Sequence, residues 1–301
     1  MNIPRILYFS KKEEEEANKE ENKKILGGVG MATSGAIISR GMKQYGKKID
    51  EDFILEDLLG ETNLRDALVE KAKEGVTVIE DPRSRDSAAV SKSVGKLARF
   101  LKKFLPEKKV HKKLAKKLEV SPETIKKISE TKKVPVILGR FKSDAVLAHE
   151  LGHAHYRGGG KGIIGKIAHK TLPISNLAES KLGAYGGGMV SGISSVKEGS
   201  DGKVKVDGKR LLKHAGLAVA LQAPLLVAEG LASKKGIYLL KNAGAKEEAI
   251  KEAKEILGPA FKTYVAGAAQ ATGRFISGQG IGVAAGVAKN KLKRKENNDS
   301  I

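Results

Sequence analysis

The chain contains no cysteine and no tryptophan, and aromatic residues make up only 4% of its 301 positions. Without cysteine there are no disulfides, no thiolate zinc clusters and no cysteine nucleophile. Any metal must be held by histidine, carboxylate or water. The shortage of aromatics leaves few platforms on which single-stranded bases can stack. No basic end followed by an apolar run opens the sequence, because "MNIPRILYFSKKEEEEANKEENKK" becomes densely charged at once; no cleavable signal peptide is expected. Nor does any apolar run reach, uninterrupted, the roughly 20 residues of a comfortable membrane span.

What is abundant is positive charge, glycine and small apolar residues. The net charge of +21 comes mostly from lysine. Such a surface favours polyanions, either nucleic acid or an anionic lipid surface. The 35 glycines sit largely in apolar stretches rather than polar linkers, which leans toward a membrane. Examples are "ILGGVGMATSGAIIS" (25–39), "HAGLAVALQAPLLVAEGLAS" (214–233) and "TYVAGAAQATGRFISGQGIGVAAGVAK" (263–289). The second is interrupted by Gln222, Pro224 and Glu229, and the third by Arg274. These segments read as helices that touch or partly enter a bilayer.

Composition along the chain suggests three parts. Residues 1–45 are a charged arm, helical or disordered, followed by the first apolar helix; 46–290 form the main domain; 291–301 are a basic, polar tail. Within the main part, 52–75 has helical spacing, 76–82 is a short strand closed by Pro82, and 88–118 is basic and helical. Ser121-Pro122 starts a further helix, "VPVILG" (134–139) is a strand, and 197–210 is a polar hairpin.

Half of the six histidines fall in "AVLAHELGHAHYRGGG" (145–160). Ser143 or Asp144 can cap a helix through this stretch, and Gly158–Gly160 can end it. On that helix His149 and His153 are four residues apart, so both imidazoles point from one face toward one ion. Glu150 stands beside them, placed to take a proton from a water at the metal. Gly152 allows another backbone to approach closely. The strand before the helix fits an edge strand lying over it, able to pair with an extended peptide.

A third ligand is needed. The extended HExxHxxGxxH pattern fails, because Tyr156 and Gly159 stand where glycine and histidine are required. His155 faces elsewhere on a helix and reads as a supporting or surface group. His111, His169 and His214 have no ligand spacing. Two carboxylates stand out, Glu179 and Glu229. Glu179 lies in a polar segment where a charged side chain is expected anyway. Glu229 lies in an apolar one, where an unpaired carboxylate is costly.

The segment "SDAVLAHELGHAHY" resembles the active-site helix of the YugP-type neutral zinc metallopeptidases, which are membrane-associated. That family's second block opens with a Glu-Phe-Asp-Ala-Ser pattern, followed by a basic, leucine-rich helix, a glycine turn, a charged helix and a Thr-Tyr-Val-Ala run. This chain has Glu229-Gly230-Leu231-Ala232-Ser233 and then "KKGIYLLKNAGAKEEAIKEAKEILGPAFKTYVAGAA". Leu231 replaces the family's aspartate and Gly230 its phenylalanine. The resemblance implies His149, His153 and Glu229 as zinc ligands and Glu150 as general base.

The expectation is a mainly helical α+β protein with a zincin-like active-site helix, a small sheet and apolar Gly/Ala-rich helices. Its expected function is Zn2+-dependent hydrolysis of peptide or protein substrates at an anionic membrane surface, facing the cytoplasm. Candidates for stabilising the oxyanion are His155, Tyr156, Arg157, Tyr185, His214 and Tyr238. Two alternatives remain. Residues 111–136 resemble a repressor-type helix-turn-helix, which suits a DNA-binding regulator, although the second helix offers mainly lysines to base edges. The other is a non-catalytic, membrane-active or structural zinc protein.

Overall fold

The computed structural model describes residues 3–52, 62–72, 75–84, 88–90, 92–139, 143–157, 163–199 and 203–299. The expected helix over 52–75 therefore lies partly outside the described residues, as do Gly158–Gly160. In chain order the elements are α1 (Ile3–Asp52), α2 (Thr62–Ala72), β1 (Val76–Glu80), β2 (Ala88–Ala89), α3 (Lys92–Leu101), α4 (Glu107–Leu118), α5 (Pro122–Glu130) and β3 (Val134–Leu138). Then follow α6 (Asp144–Arg157), α7 (Ile163–Glu179), α8 (Lys181–Ser194), β4 (Val196–Glu198), β5 (Val204–Val206), α9 (Gly208–Ala220), α10 (Ala223–Asn242) and α11 (Glu247–Asp299). The fold is mainly helical α+β, as expected. Contacts divide the chain into one unit of 1–47, 173–223 and 265–301, and another of 48–172 and 224–264.

In the second unit the sheet order is β1-β3-β2, with β1 parallel and β2 antiparallel to β3. The strand expected to be an edge is therefore the central one. All five residues of β3 are buried, and its period-2 alternation feeds two cores. Val134, Val136 and Leu138 join Leu147, Leu151, Leu240 and Ile256 on the face carrying α6, α10 and the start of α11. Ile137 joins Ile79, Val110, Ile125 and Ile128 on the face carrying α3, α4 and α5. Proline in a central strand removes a donor. Here the Pro135 carbonyl accepts from Val90 N–H on the β2 side (2.8 Å), so the missing N–H subtracts nothing from the ladder with β1.

Ala88 and Ala89 fall in a stretch expected to be helical, yet form β2. Alanine's helix preference is worth only tenths of a kcal/mol per residue, and pairing with β3 outweighs it. The helix-turn-helix-like element is present as α4 and α5. Its turn lacks glycine, so Glu119 itself takes the left-handed conformation (φ 53°, ψ 39°). Ser121 caps α5 by accepting from Thr124 N–H. Asp81, at the end of β1, holds this turn, its Oδ2 accepting from Ser121 N–H at 2.6 Å and its Oδ1 from Arg83 N–H at 2.9 Å.

The first unit is packed in a different way. A Cβ placed on Gly28 would lie 2.8 Å from the Gly280 carbonyl oxygen, so α1 and α11 meet backbone to backbone. The large apolar side chains point outward instead: Leu26 and Ile37 on α1, Leu182 and Val190 on α8 and Leu212 on α9 are all exposed. The expected hairpin is β4–β5.

Between α9 and α10 the helix is interrupted at Leu221–Gln222, and Pro224 falls in the first turn of α10, where its missing N–H costs nothing. The segment Gly208–Asn242 is long and apolar enough to cross a membrane by length and composition. Within α10, however, Ala228, Ala232, Gly236 and Leu240 recur every four residues and are buried, as on the inner face of a core helix.

Candidate metal centre

The centre forms where α10 crosses α6. Gly152 lies between the two turns that carry His149 and His153, and a Cβ there would run into the Ala232 carbonyl oxygen. Four residues on, a Cβ on Gly236 would lie 2.9 Å from both Ala148 C and His149 N. Two glycines thus let the helix backbones touch, which brings Glu229 within reach of the histidines. His149, His153 and Glu229 are 7%, 5% and 7% exposed.

Their ligating atoms converge. Glu229 Oε2 lies 3.2 Å from His149 Nε2 and 3.2 Å from His153 Nε2, and the two nitrogens are 3.1 Å apart. Among the described residues this is a buried group able to hold a metal ion. Four-coordinate zinc with bonds of about 2.0–2.1 Å spaces its ligand atoms about 3.3 Å apart. The donors fit that spacing, and two imidazoles with one carboxylate leave a fourth position open. Burial pushes the Glu229 carboxyl up, but the imidazoles of His149 and His153 beside it outweigh this and hold it down at about 2. The group is thus an anion over the whole working range, as a ligand must be.

Each imidazole is also held from behind. His149 Nδ1 lies 3.1 Å from Ser233 Oγ, and His153 Nδ1 lies 3.0 Å from His169 Nε2. Ser233 is one turn beyond Glu229 on α10 (i, i+4) and was legible by spacing. His169 is on α7, a separate helix, and its distance from His153 in sequence carries no signal. Its ring lies against that of Tyr156, with centroids 5.5 Å apart. Burial is the main cause that pulls His169 down to about 4.

Glu150 points to the sheet. Its Oε2 accepts from Ala89 N–H of β2 at 2.5 Å, and Arg157 donates to the Ala89 carbonyl oxygen. The strand edge beside the site is therefore β2, and the outward polar atoms of Ala89 are taken by Glu150 and Arg157. Burial lowers the Arg157 guanidinium's pKa, and the carboxylates of Glu150 and Glu229 counter it.

The remaining sequence candidates are distributed as follows. His155 packs against Tyr156 (centroids 5.2 Å apart). Tyr238 is exposed, with Lys235 Nζ 4.3 Å from its ring centroid. Tyr185 and His214 belong to the other unit, where His214 Nδ1 lies 2.8 Å from Ser191 Oγ. Glu179, the alternative carboxylate, also lies in that unit; burial raises its pKa and Arg274 opposes the rise.

No protein-family model, curated protein or solved structure matches this chain.

Proposed function

We propose that the protein is a zinc-dependent endopeptidase associated with membranes. The observation that carries this reading is the convergence of His149, His153 and Glu229 at 3.1–3.2 Å, with Glu150 next to the first ligand in the sequence. Borderline-soft imidazole donors with one carboxylate suit zinc better than magnesium or calcium, which take oxygen ligands. Zinc held by these residues would supply Lewis-acid chemistry and make a coordinated water acidic near neutral pH. Glu150 accepts the proton of the attacking water and passes it to the leaving amine. One of its oxygens is held by Ala89 N–H, which orients the carboxylate and leaves the other oxygen for the water. Arg157 fixes the backbone of β2 above it.

Membrane association is supported by the outward-facing leucines and isoleucines of the first unit and by the net charge of +21. Small residues between helices and large ones outside are the pattern expected of helices surrounded by lipid. The resemblance of 143–156 and 229–269 to the YugP-type peptidases points the same way.

The test is zinc stoichiometry and peptide hydrolysis for the wild type, Glu150→Gln, Glu229→Ala and Glu179→Ala. Glu150→Gln is expected to keep zinc and lose at least about 100-fold in hydrolysis. Glu229→Ala is expected to lose the metal and Glu179→Ala to keep it. Full activity in zinc-loaded Glu150→Gln, or metal lost from Glu179→Ala alone, refutes the reading.

A further inference from the structure

We propose that His169 is a positioning residue for His153, fixing the imidazole tautomer that leaves His153 Nε2 free for the ion. This rests on reading His149, His153 and Glu229 as a metal centre. His169 Nδ1 lies 2.7 Å from the carbonyl oxygen of Gly165, one turn earlier on α7. A carbonyl only accepts, so His169 carries its proton on Nδ1. At pH 8 a histidine with one ring proton is neutral, and its Nε2 is then an acceptor. That Nε2 is 3.0 Å from His153 Nδ1, so His153 must be the donor and its proton sits on Nδ1.

His153 Nε2 is left with a lone pair. It faces Glu229 Oε2 at 3.2 Å and His149 Nε2 at 3.1 Å, the atoms that would hold the ion with it. The consequence is a competition. Without His169, the His153 proton moves to Nε2 and donates to Glu229 Oε2, so that two ligands satisfy each other and the ion must break that bond. The chain Gly165–His169–His153 removes this option. The ring of Tyr156 packs beside that of His169, with centroids 5.5 Å apart and planes tilted by 30°.

Two measurements at pH 8 test it. Long-range 1H–15N correlation spectra of metal-free, histidine-labelled protein report which His153 nitrogen carries the proton. Competition with a chromophoric chelator reports the affinity for zinc alone. Wild type is expected to show the Nδ1–H form, and His169→Ala to shift toward Nε2–H and lose about 10–100-fold in zinc affinity. His169→Gln, whose amide oxygen also accepts, is expected to keep the Nδ1–H form and bind within about threefold of wild type. Far-ultraviolet circular dichroism establishes that both variants are folded.

The proposal is overturned by an Nε2–H form in wild type, by wild-type affinity in His169→Ala, or by equal loss in the alanine and glutamine variants. A wild type that binds no zinc refutes the metal reading instead, and the His153 tautomer still decides the role of His169.

Discussion

Gly236→Ala isolates what the helix crossing contributes to the site. The added Cβ meets Ala148 C and His149 N at 2.9 Å and Ala148 O at 3.0 Å. All three are backbone atoms, so no side chain can swing aside. Restoring ordinary contact near 3.4 Å moves α10 away from α6 by about half an ångström. The gap between Glu229 Oε2 and the imidazole nitrogens is 3.2 Å, and it opens by up to that amount, toward about 3.7 Å. With zinc bonds of about 2.0–2.1 Å, such a gap requires an angle near about 130° in place of about 109°. Affinity is expected to fall about 10–100-fold, because a donor must lie within about 0.2 Å of its ideal distance.

Folding stability moves less. Overpacking costs about 1–3 kcal/mol, and replacing a helical glycine by alanine returns about 1 kcal/mol. The control is Gly230→Ala on the same helix, whose Cβ meets only Phe261 Cε2 at an ordinary 3.6 Å. It receives the same helix-propensity gain and is expected to keep wild-type zinc affinity. Chelator competition measures the affinity and thermal unfolding of the metal-free forms measures the stability. If Gly236→Ala binds zinc as tightly as Gly230→Ala, the glycine contact does not set the ligand spacing and the reasoning fails.

Two further variants concern the α4–α5 side of the sheet. Glu119→Gly is expected to raise stability by about 0.5–1 kcal/mol, because the left-handed conformation there costs a glycine nothing; a lower unfolding temperature refutes this. Burial raises the Asp81 carboxyl, but hydrogen bonds from Ser121 and Arg83 N–H and from the Thr124 and Ser121 hydroxyls outweigh it, so its folded pKa lies below 3.8. A depressed carboxylate adds stability above its unfolded pKa, and that stability is lost as the pH falls through the folded value. Asp81→Asn is therefore expected to lower stability by about 1–3 kcal/mol at pH 7. The gap to wild type in thermal melts should narrow below about pH 4. A gap of constant size from pH 7 to pH 3 contradicts the carboxylate's role.

The parts of the site legible in the sequence are those whose physics is local. His149 and His153 share a helix face by their spacing, and the buried strand 134–138 announces itself as a short apolar run bounded by polar residues. Glu229 is legible by cost: a carboxylate in an apolar helix demands a partner, and the partners are the imidazoles 76 and 80 positions earlier. What escapes is whatever depends on where the chain returns. Two alanines become β2 only because β3 offers a free edge, and with that edge taken the central strand cannot serve a substrate. His169 has no periodic relation to His153, and their contact exists only because α7 folds back on α6. The same limit explains why spacing put His149 and His153 on one face, while Glu229 was marked by its burial cost and by the family resemblance, and His169 by nothing in the sequence. The position of the imidazole pair is constrained by one helix turn, whereas its support is constrained by the hydrogen-bonding capacity of a ring nitrogen, which any element of the fold can satisfy. His153 illustrates the difference, because its Nδ1 needs an acceptor of any kind whereas its Nε2 needs Glu229 within 3.2 Å. The supporting partner is thus the more replaceable of the two, which is why glutamine is expected to serve for His169 and nothing shorter for Glu229.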